Sequence, residues 1–353
     1  MNLPALETGP NTRSADEGSP SLLTVPTPHV PAPDSLEREV LVRRVTVEAD
    51  RVISIELVAA DGRRLPPWTP GAHISLRLGS GLVREYSLCG DPDDREVYRI
   101  AVLDEPLGRG GSHELHDTAE RGARLVIRGP RNHFPLVPAE RYLFIAGGIG
   151  VTPILPMVRT VAAGAVDWSL LYGGRSLSSM AFVDDLMSIC GSRLTLVAQD
   201  RMGLPDIVGF LSGADTATAV YCCGPTGLIE VVRQRCREAG ILDSLHLERF
   251  GPAPQAAPVD APTNTERAID VELRRSGKRV TVPPGRSILH AVRDVLPWPS
   301  SCEEGYCGTC EARVLDGVPD HRDTILSEEE RAQGDCMMIC VSRARTPTLT
   351  LDL

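Results

Sequence analysis

Apolar positions along the chain follow three successive regimes. Between residues 38 and 137, short alternating or β-branched runs recur at Val40–Val47, Val52–Val58, His73–Leu78, Leu82–Leu88, Tyr98–Val102 and Arg124–Arg128. Turn residues punctuate them at Asp61-Gly62, Pro70-Gly71, Gly79-Ser80-Gly81 and Asp91-Pro92. Period-two alternation with such breaks predicts a small antiparallel β-barrel, with one helix near His113–Glu120. From residue 141 to 250 the pattern changes. Apolar strand-like runs (Tyr142–Ala146, Trp168–Tyr172, Leu194–Ala198, Ala219–Cys222) alternate with helical stretches (Pro153–Ala163, Ala181–Ile189, Pro225–Ala239). That alternation predicts a parallel sheet with crossover helices, a Rossmann-like α/β unit. From residue 267 onward, Ile269–Leu273 and Arg279–Val282 form a predicted hairpin around Ser276-Gly277. A short helix at Ser287–Val295 and strands at Glu311–Leu315, Cys340–Arg343 and Thr348–Leu353 complete an α+β unit.

Two stretches lack any core pattern. Residues 1–35 are rich in Pro, Ser, Thr and Gly and are expected to form a disordered tail. Residues 251–266, GPAPQAAPVDAPTNTE, are expected to form a semi-extended linker. The expected division is therefore a tail (1–35), a barrel (36–137), an α/β unit (138–250), a linker (251–266) and an α+β unit (267–353).

The 353 residues carry a net charge of −10, which argues against nucleic-acid binding and suits docking on a basic face of a partner protein. No apolar run approaches the roughly 18 residues that cross a membrane, and the N-terminus lacks a secretory pattern. A cytoplasmic monomer is expected. In that setting ten cysteines read as ligands or small buried residues rather than as disulfides.

The strongest chemical signal is Cys302-Glu-Glu-Gly-Tyr-Cys307-Gly-Thr-Cys310 with a distant Cys340. This C-x4-C-x2-C…C spacing is that of a plant-type [2Fe–2S] site, in which four thiolates hold two irons. Structural zinc is the alternative, but zinc ribbons use two close C-x2-C pairs. Gly305 and Gly308 keep the loop free of Cβ atoms, so backbone N–H groups can point at the sulfurs. Through Cys302–Cys310 and Cys336-Met-Met-Ile-Cys340, residues 267–353 resemble plant-type ferredoxins of the β-grasp fold. Cys336 has no ligand role in that pattern.

Two further motifs lie upstream. Arg84-Glu85-Tyr86-Ser87 falls on a predicted barrel strand, and Gly110-Gly111-Ser112 opens the predicted helix. A glycine turn at a helix start offers N–H groups and a positive dipole end to a phosphate, and Arg84 could add a bidentate fork. Tyr142–Ala146 runs into Gly147-Gly148-Ile149-Gly150-Val151-Thr152-Pro153, a strand–glycine turn–helix pattern in which Pro153 suits the first helical turn. It is not the full dinucleotide fingerprint.

Together these motifs resemble the phthalate dioxygenase reductase family of the ferredoxin–NADP reductase superfamily, over residues from about 38 to 353. The segment Arg128–Leu136 and Cys223-Gly224-Pro225 add to the match. The resemblance implies a flavin site formed by Arg84, Glu85, Tyr86, Ser87, Val102, Gly110, Gly111, Ser112, Thr152 and Phe250. It implies an NAD(P) site formed by Gly148, Gly150, Thr152, Pro153, Arg175, Ser176, Cys223, Gly224 and Pro225. FMN is expected over FAD, because one compact turn fits one terminal phosphate. NADH is expected over NADPH, although Arg175 and Ser176, where the adenosine ribose would lie, leave NADPH open.

The implied activity is electron transfer from nicotinamide through flavin to the cluster, with no residue acting as acid, base or nucleophile. The implied acceptor is a separate Rieske-type aromatic-ring or O-demethylating oxygenase. A haem-thiolate monooxygenase acceptor, a stand-alone diaphorase and a non-enzymatic carrier are the alternatives. An acidic stretch (Glu303, Glu304, Glu311, Asp316, Asp320, Asp323) is either a docking face or an ordinary solvated surface.

Overall fold

The computed structural model describes residues 37–250 and 267–353, except Leu107, Arg109, Pro299, Ser301, Cys302, Glu304, Tyr306, Cys307 and Ser327. The expected tail and linker lie outside the described residues.

The first unit is a six-stranded antiparallel sheet: β1 (Arg38–Ala49), β2 (Val52–Ala59), β3 (His73–Arg77), β4 (Val83–Ser87), β5 (Tyr98–Leu103) and β6 (Arg124–Arg131), in the order β4-β3-β6-β1-β2-β5. Helix α1 (Gly111–Thr118) lies between β5 and β6. Ile55, Leu57, Ile74, Leu76, Tyr98 and Ile100 fill its core, as the alternation predicts.

The second unit is a parallel sheet of β7 (Arg141–Gly147), β8 (Asp167–Gly174), β9 (Leu194–Ala198), β10 (Thr218–Cys223) and β11 (Leu245–Glu248), in the order β11-β10-β7-β8-β9. Helix α2 (Val151–Ala162) follows β7 and α3 (Val183–Cys190) follows β8. Single-turn helices α4 (Gln199–Met202) and α5 (Ile207–Phe210) follow β9, and α6 (Thr226–Glu238) follows β10. Every residue of β10 is buried, the signature of a central parallel strand covered on both faces. β11 has no counterpart among the predicted strands. It is four residues long and half-buried throughout, so no alternation marks it.

One apolar core runs through both units. Val52, Cys89 and Ala101 of the barrel pack in the same cluster as Phe144, Val151 and Tyr172. The Tyr221 hydroxyl stitches the connection further. It donates to the Pro135 carbonyl at 2.9 Å and accepts from the Val137 N–H at 2.7 Å.

The third unit contains β12 (Ile269–Leu273), β13 (Lys278–Val282), α7 (Ile288–Arg293), β14 (Glu311–Asp316), β15 (Pro319–Asp320), α8 (Glu328–Gln333), β16 (Cys336–Met338), β17 (Arg343–Ala344) and β18 (Thr348–Leu351). Its main sheet runs β13-β12-β18-β14-β16, with β12 and β18 parallel at its centre. The expected strand Cys340–Arg343 is corrected. Cys340 lies in a turn between β16 and β17, where the Val341 and Ser342 N–H groups both bond back to the Met338 carbonyl. Met337 and Met338 end β16 and Ile339 opens the turn, and all three are buried.

Candidate functional site

Strand β4 carries Arg84 and Tyr86 on one face and Glu85 and Ser87 on the other, as period-two geometry requires. Arg84 reaches the start of α1, where a Cβ on Gly111 would lie 2.7 Å from its Nε. Gly110, the residue before α1, has φ of 81°, a backbone region that favours glycine. A cationic side chain therefore meets a Cβ-free helix N-terminus, a donor set that fits the phosphate of a flavin. Ser112 Oγ accepts from the Glu105 N–H at 3.1 Å and holds the preceding loop to the same turn. Tyr86 packs against the barrel core, and burial pushes its phenol well above the ordinary value. The Val102 side chain is buried in that core, and its carbonyl is 3.0 Å from His116 Nε2.

A cleft of about 860 Å³ is lined by residues of the barrel, from Asp50–Val52, Leu103 and Glu105, and of the α/β unit. It holds Gly148, Gly150, Arg175, Ser176, Gly224, Pro225 and Phe250 of the expected residues. Its glycines divide the work. A Cβ on Gly150 would meet the Cys223 carbonyl at 2.4 Å, and one on Gly224 would meet Gly147 Cα at 2.9 Å, so these allow two strand-to-helix turns to touch. Gly148, with φ of 54° and nothing within 4 Å, leaves the cleft floor bare. Thr152 is buried and donates to the Ile149 carbonyl at 3.0 Å, and Pro153 lies in the first turn of α2. Cys223 ends β10 fully buried, and burial, reinforced by Glu248, pushes its thiol far up. Ser176 pairs with Ser179 in a capping box rather than standing free.

Glu248, at the end of β11, is the residue that pattern reasoning misses. Ser87 Oγ approaches its Oε2 at 3.4 Å, the outer edge of hydrogen bonding. The side chain keeps part of its surface open, but protein surrounds it on the other sides. That desolvation pushes the carboxyl up to about 8, and the weak Ser87 contact offsets little of it. At neutral pH Glu248 therefore holds a proton beside Ser87. The sequence signal lay in Glu248-Arg249-Phe250, where an acid precedes the aromatic residue.

In the third unit Cys310 and Cys340 are both buried, and the Ile339 N–H reaches the Cys310 carbonyl at 3.4 Å, so the structure brings these two together. Cys302 and Cys307 lie outside the described residues. Gly305 and Gly308 each have φ of 74°, and a Cβ would strike Val341 Cγ2 at 2.6 Å or His133 Nε2 at 2.9 Å respectively. At these two described positions the backbone packs closely on its surroundings, which fits a cluster approached by backbone. Cys336 is partly exposed on β16 rather than fully buried, and burial with acidic neighbours pushes its thiol up to about 12, opposite to what a ligand needs.

Three of the six acidic residues are held from within. Glu303 pairs with Arg293 at 2.7 Å, and Asp320 pairs with Arg322 at 3.0 Å. Asp323 is buried and accepts from the Leu326 N–H at 3.0 Å.

The third unit also meets the barrel. Thr309 Oγ1 donates to Glu85 Oε1 at 2.9 Å across 224 residues of sequence. Glu85 also accepts from Ser75 Oγ at 2.8 Å, and Arg131 stands 3.7 Å away. Its carboxylate is therefore directed at these partners. His73 stacks on His133 with ring centroids 5.5 Å apart, and burial pulls the His73 imidazole down to about 4 against the opposing pull of Glu85.

Comparison with known proteins agrees with this architecture. Residues 271–345 match the 2Fe-2S iron-sulfur cluster binding domain family. Phenoxybenzoate dioxygenase subunit beta of Ectopseudomonas oleovorans is 41% identical over 317 residues, covering 88% of this chain and 96% of that protein. Vanillate O-demethylase oxidoreductase of Pseudomonas sp. (strain HR199 / DSM 7063) is 38% identical over 325 residues, covering 89% and 99%. Among solved structures, phthalate dioxygenase reductase, described as a modular structure for electron transfer from pyridine nucleotides to [2Fe-2S], superposes with a TM-score of 0.64 at 35% identity. That match covers 90% of this chain and 98% of that one. An intact type IV self-sufficient cytochrome P450 monooxygenase superposes with a TM-score of 0.83 at 40% identity over 91% of this chain, which corresponds to 41% of that longer protein. A flavin barrel, a pyridine-nucleotide unit and a [2Fe–2S] unit follow one another in this order along nearly the whole length shared with such relatives, and the chain belongs to the phthalate dioxygenase reductase family.

Proposed function

We propose that this chain is the reductase component of a two-component oxygenase, carrying electrons from NADH through FMN to a [2Fe–2S] cluster held by Cys302, Cys307, Cys310 and Cys340. The final acceptor on this reading is a separate Rieske-type oxygenase that hydroxylates or O-demethylates an aromatic substrate. The observation that carries it is the position of β4. One strand supplies Arg84 and Tyr86 to the flavin site, Ser87 to the contact with Glu248 at the nucleotide side, and Glu85 to the contact with Thr309 at the cluster side.

A bound flavin accepts a hydride and returns electrons singly, which joins a two-electron donor to a one-electron centre. The chain supplies binding and orientation. The single turn at Gly110–Ser112, at the head of one helix, supports a mononucleotide. Gly148 and the cleft beside Phe250 leave room for a nicotinamide to approach closely, as hydride transfer requires. For the nucleotide, the barrel turn brings Asp50 to the same end of the cleft as Arg175 and Ser176, with the Asp50 N–H bonded to the Ser178 carbonyl at 2.7 Å. A carboxylate there favours the free ribose 2′-hydroxyl of NADH.

The test is the absorption spectrum of purified protein followed by acid extraction of the flavin. Bands of flavin plus [2Fe–2S], with FMN released, are expected. Colourless protein prepared without oxygen, or zinc in place of iron, overturns the reading. The likeness to a self-sufficient cytochrome P450 supports a second acceptor, a haem-thiolate monooxygenase. Reduction rates with one purified oxygenase of each kind separate the two.

A further inference from the structure

We infer that the cluster unit is positioned against the flavin barrel by a polar latch, Thr309 to Glu85, rather than by apolar packing. The inference rests on the proposed electron path and deepens it. Its first support is the layout of the cores. The barrel and the α/β unit share one apolar cluster, whereas the cluster unit buries its own, drawn among the described residues from positions 269 to 353 alone. The first two units therefore form one body, and the third is attached by other means.

The second support is the contact itself. Thr309 is 5% exposed and its hydroxyl donates to Glu85 at 2.9 Å. The receiving carboxylate is held in place from the barrel side by Ser75 and Arg131, and Arg131 in turn donates to Ser75 Oγ. Beside this bond, the His133 ring fills the space that a side chain at position 308 would occupy, and His73 backs His133 by stacking. The barrel lip thus presents an oriented acceptor and a flat ring to two consecutive loop residues.

The third support is sequence position. Thr309 stands between Cys307 and Cys310, two expected ligands, and Glu85 between Arg84 and Tyr86, two expected flavin residues. One hydrogen bond therefore ties the loop around one redox site to the strand under the other. Polar contacts of this kind exchange with water at small net cost, whereas an apolar interface would lock the unit down. The latch accordingly sets the docked geometry while leaving the unit able to release and present its cluster elsewhere. Thr309 and Glu85 are positioning residues.

The test uses the full chain with its cofactors loaded. In Thr309→Val, stopped-flow reduction of the flavin by NADH stays at the wild-type rate, and the following cluster reduction slows roughly tenfold, the factor expected for losing one hydrogen bond to a charged group. Thr309→Ser restores it. Amide hydrogen exchange over residues 73–87 and 308–311 rises in Thr309→Val and returns to normal in Thr309→Ser. A cycle with Glu85→Ala shows the double variant no slower than the worse single variant. If Thr309→Val fails to hold a cluster, Glu85→Ala carries the exchange measurement from the barrel side. Wild-type cluster reduction and unchanged exchange in these variants overturn the latch, as does a slowing fully explained by a shifted cluster potential. A wild-type protein that never passes electrons from flavin to cluster would instead sink the proposed function.

Discussion

Ser87 and Glu248 come within 3.4 Å of each other although 161 residues separate them, and their contact joins the flavin strand to the end of the nucleotide sheet. The contact places a largely desolvated carboxyl, raised to about 8, where the barrel and the parallel sheet meet.

The native state holds the Glu248 proton up to about pH 8, whereas the unfolded chain releases it near 4.5. The favourable contribution is therefore complete below pH 4.5 and is lost as the pH rises through 8. In urea unfolding, Glu248→Gln is expected to gain on the wild type by a few kcal/mol, on the order of two or three, between pH 5 and 9. Parallel pH profiles for the two proteins would show that the carboxyl is not raised.

The close approach of Gly111 to Arg84 makes the proposed flavin-phosphate turn sensitive to a single side chain. Gly111→Val must push the Arg84 guanidinium aside, because the new Cβ would start 2.7 Å from its Nε. Both Gly111→Val and Arg84→Ala are expected to weaken flavin binding roughly ten- to hundredfold, the loss of one charged hydrogen bond or more. Flavin fluorescence quenching measures this, and wild-type affinity in both would remove the phosphate from this turn.

Asp50 and Arg175, opposite in charge, both line the cleft. The ratio of kcat/KM for NADH and NADPH is expected to favour NADH. Asp50→Asn should reduce kcat/KM for NADH roughly tenfold with little change for NADPH. A strong NADPH preference in the wild type, abolished in Arg175→Glu, would reverse the assignment.

Cysteine replacements separate ligands from bystanders. Cys310→Ser and Cys340→Ser are expected to lose the iron and the electron paramagnetic resonance signal of the reduced cluster. Cys336→Ser, which changes a thiol already pushed up to about 12, should keep both. Loss of iron in Cys336→Ser with retention in Cys340→Ser would exchange their roles.

Much of this protein was legible in order along the chain. Alternating or β-branched runs located the six barrel strands, and continuous apolar runs located four strands of the parallel sheet, because burial on one face or both marks the residues themselves. Ligand spacing and glycine turns pointed to iron–sulfur, flavin and nucleotide chemistry because each motif is one short segment. β11, α8 and the turn holding Cys340 carried no such period. The opposite destinations of neighbours on β4 were equally hidden: Arg84 faces Gly111 while Glu85 faces Thr309. Which remote residues those side chains meet depends on how separate units pack. The sequence by itself therefore determined the three units and their chemistry. Only the tertiary structure decided that Glu248 is held protonated beside Ser87 and that Glu85 receives Thr309, since desolvation and hydrogen bonding act through space, between segments that no local pattern connects.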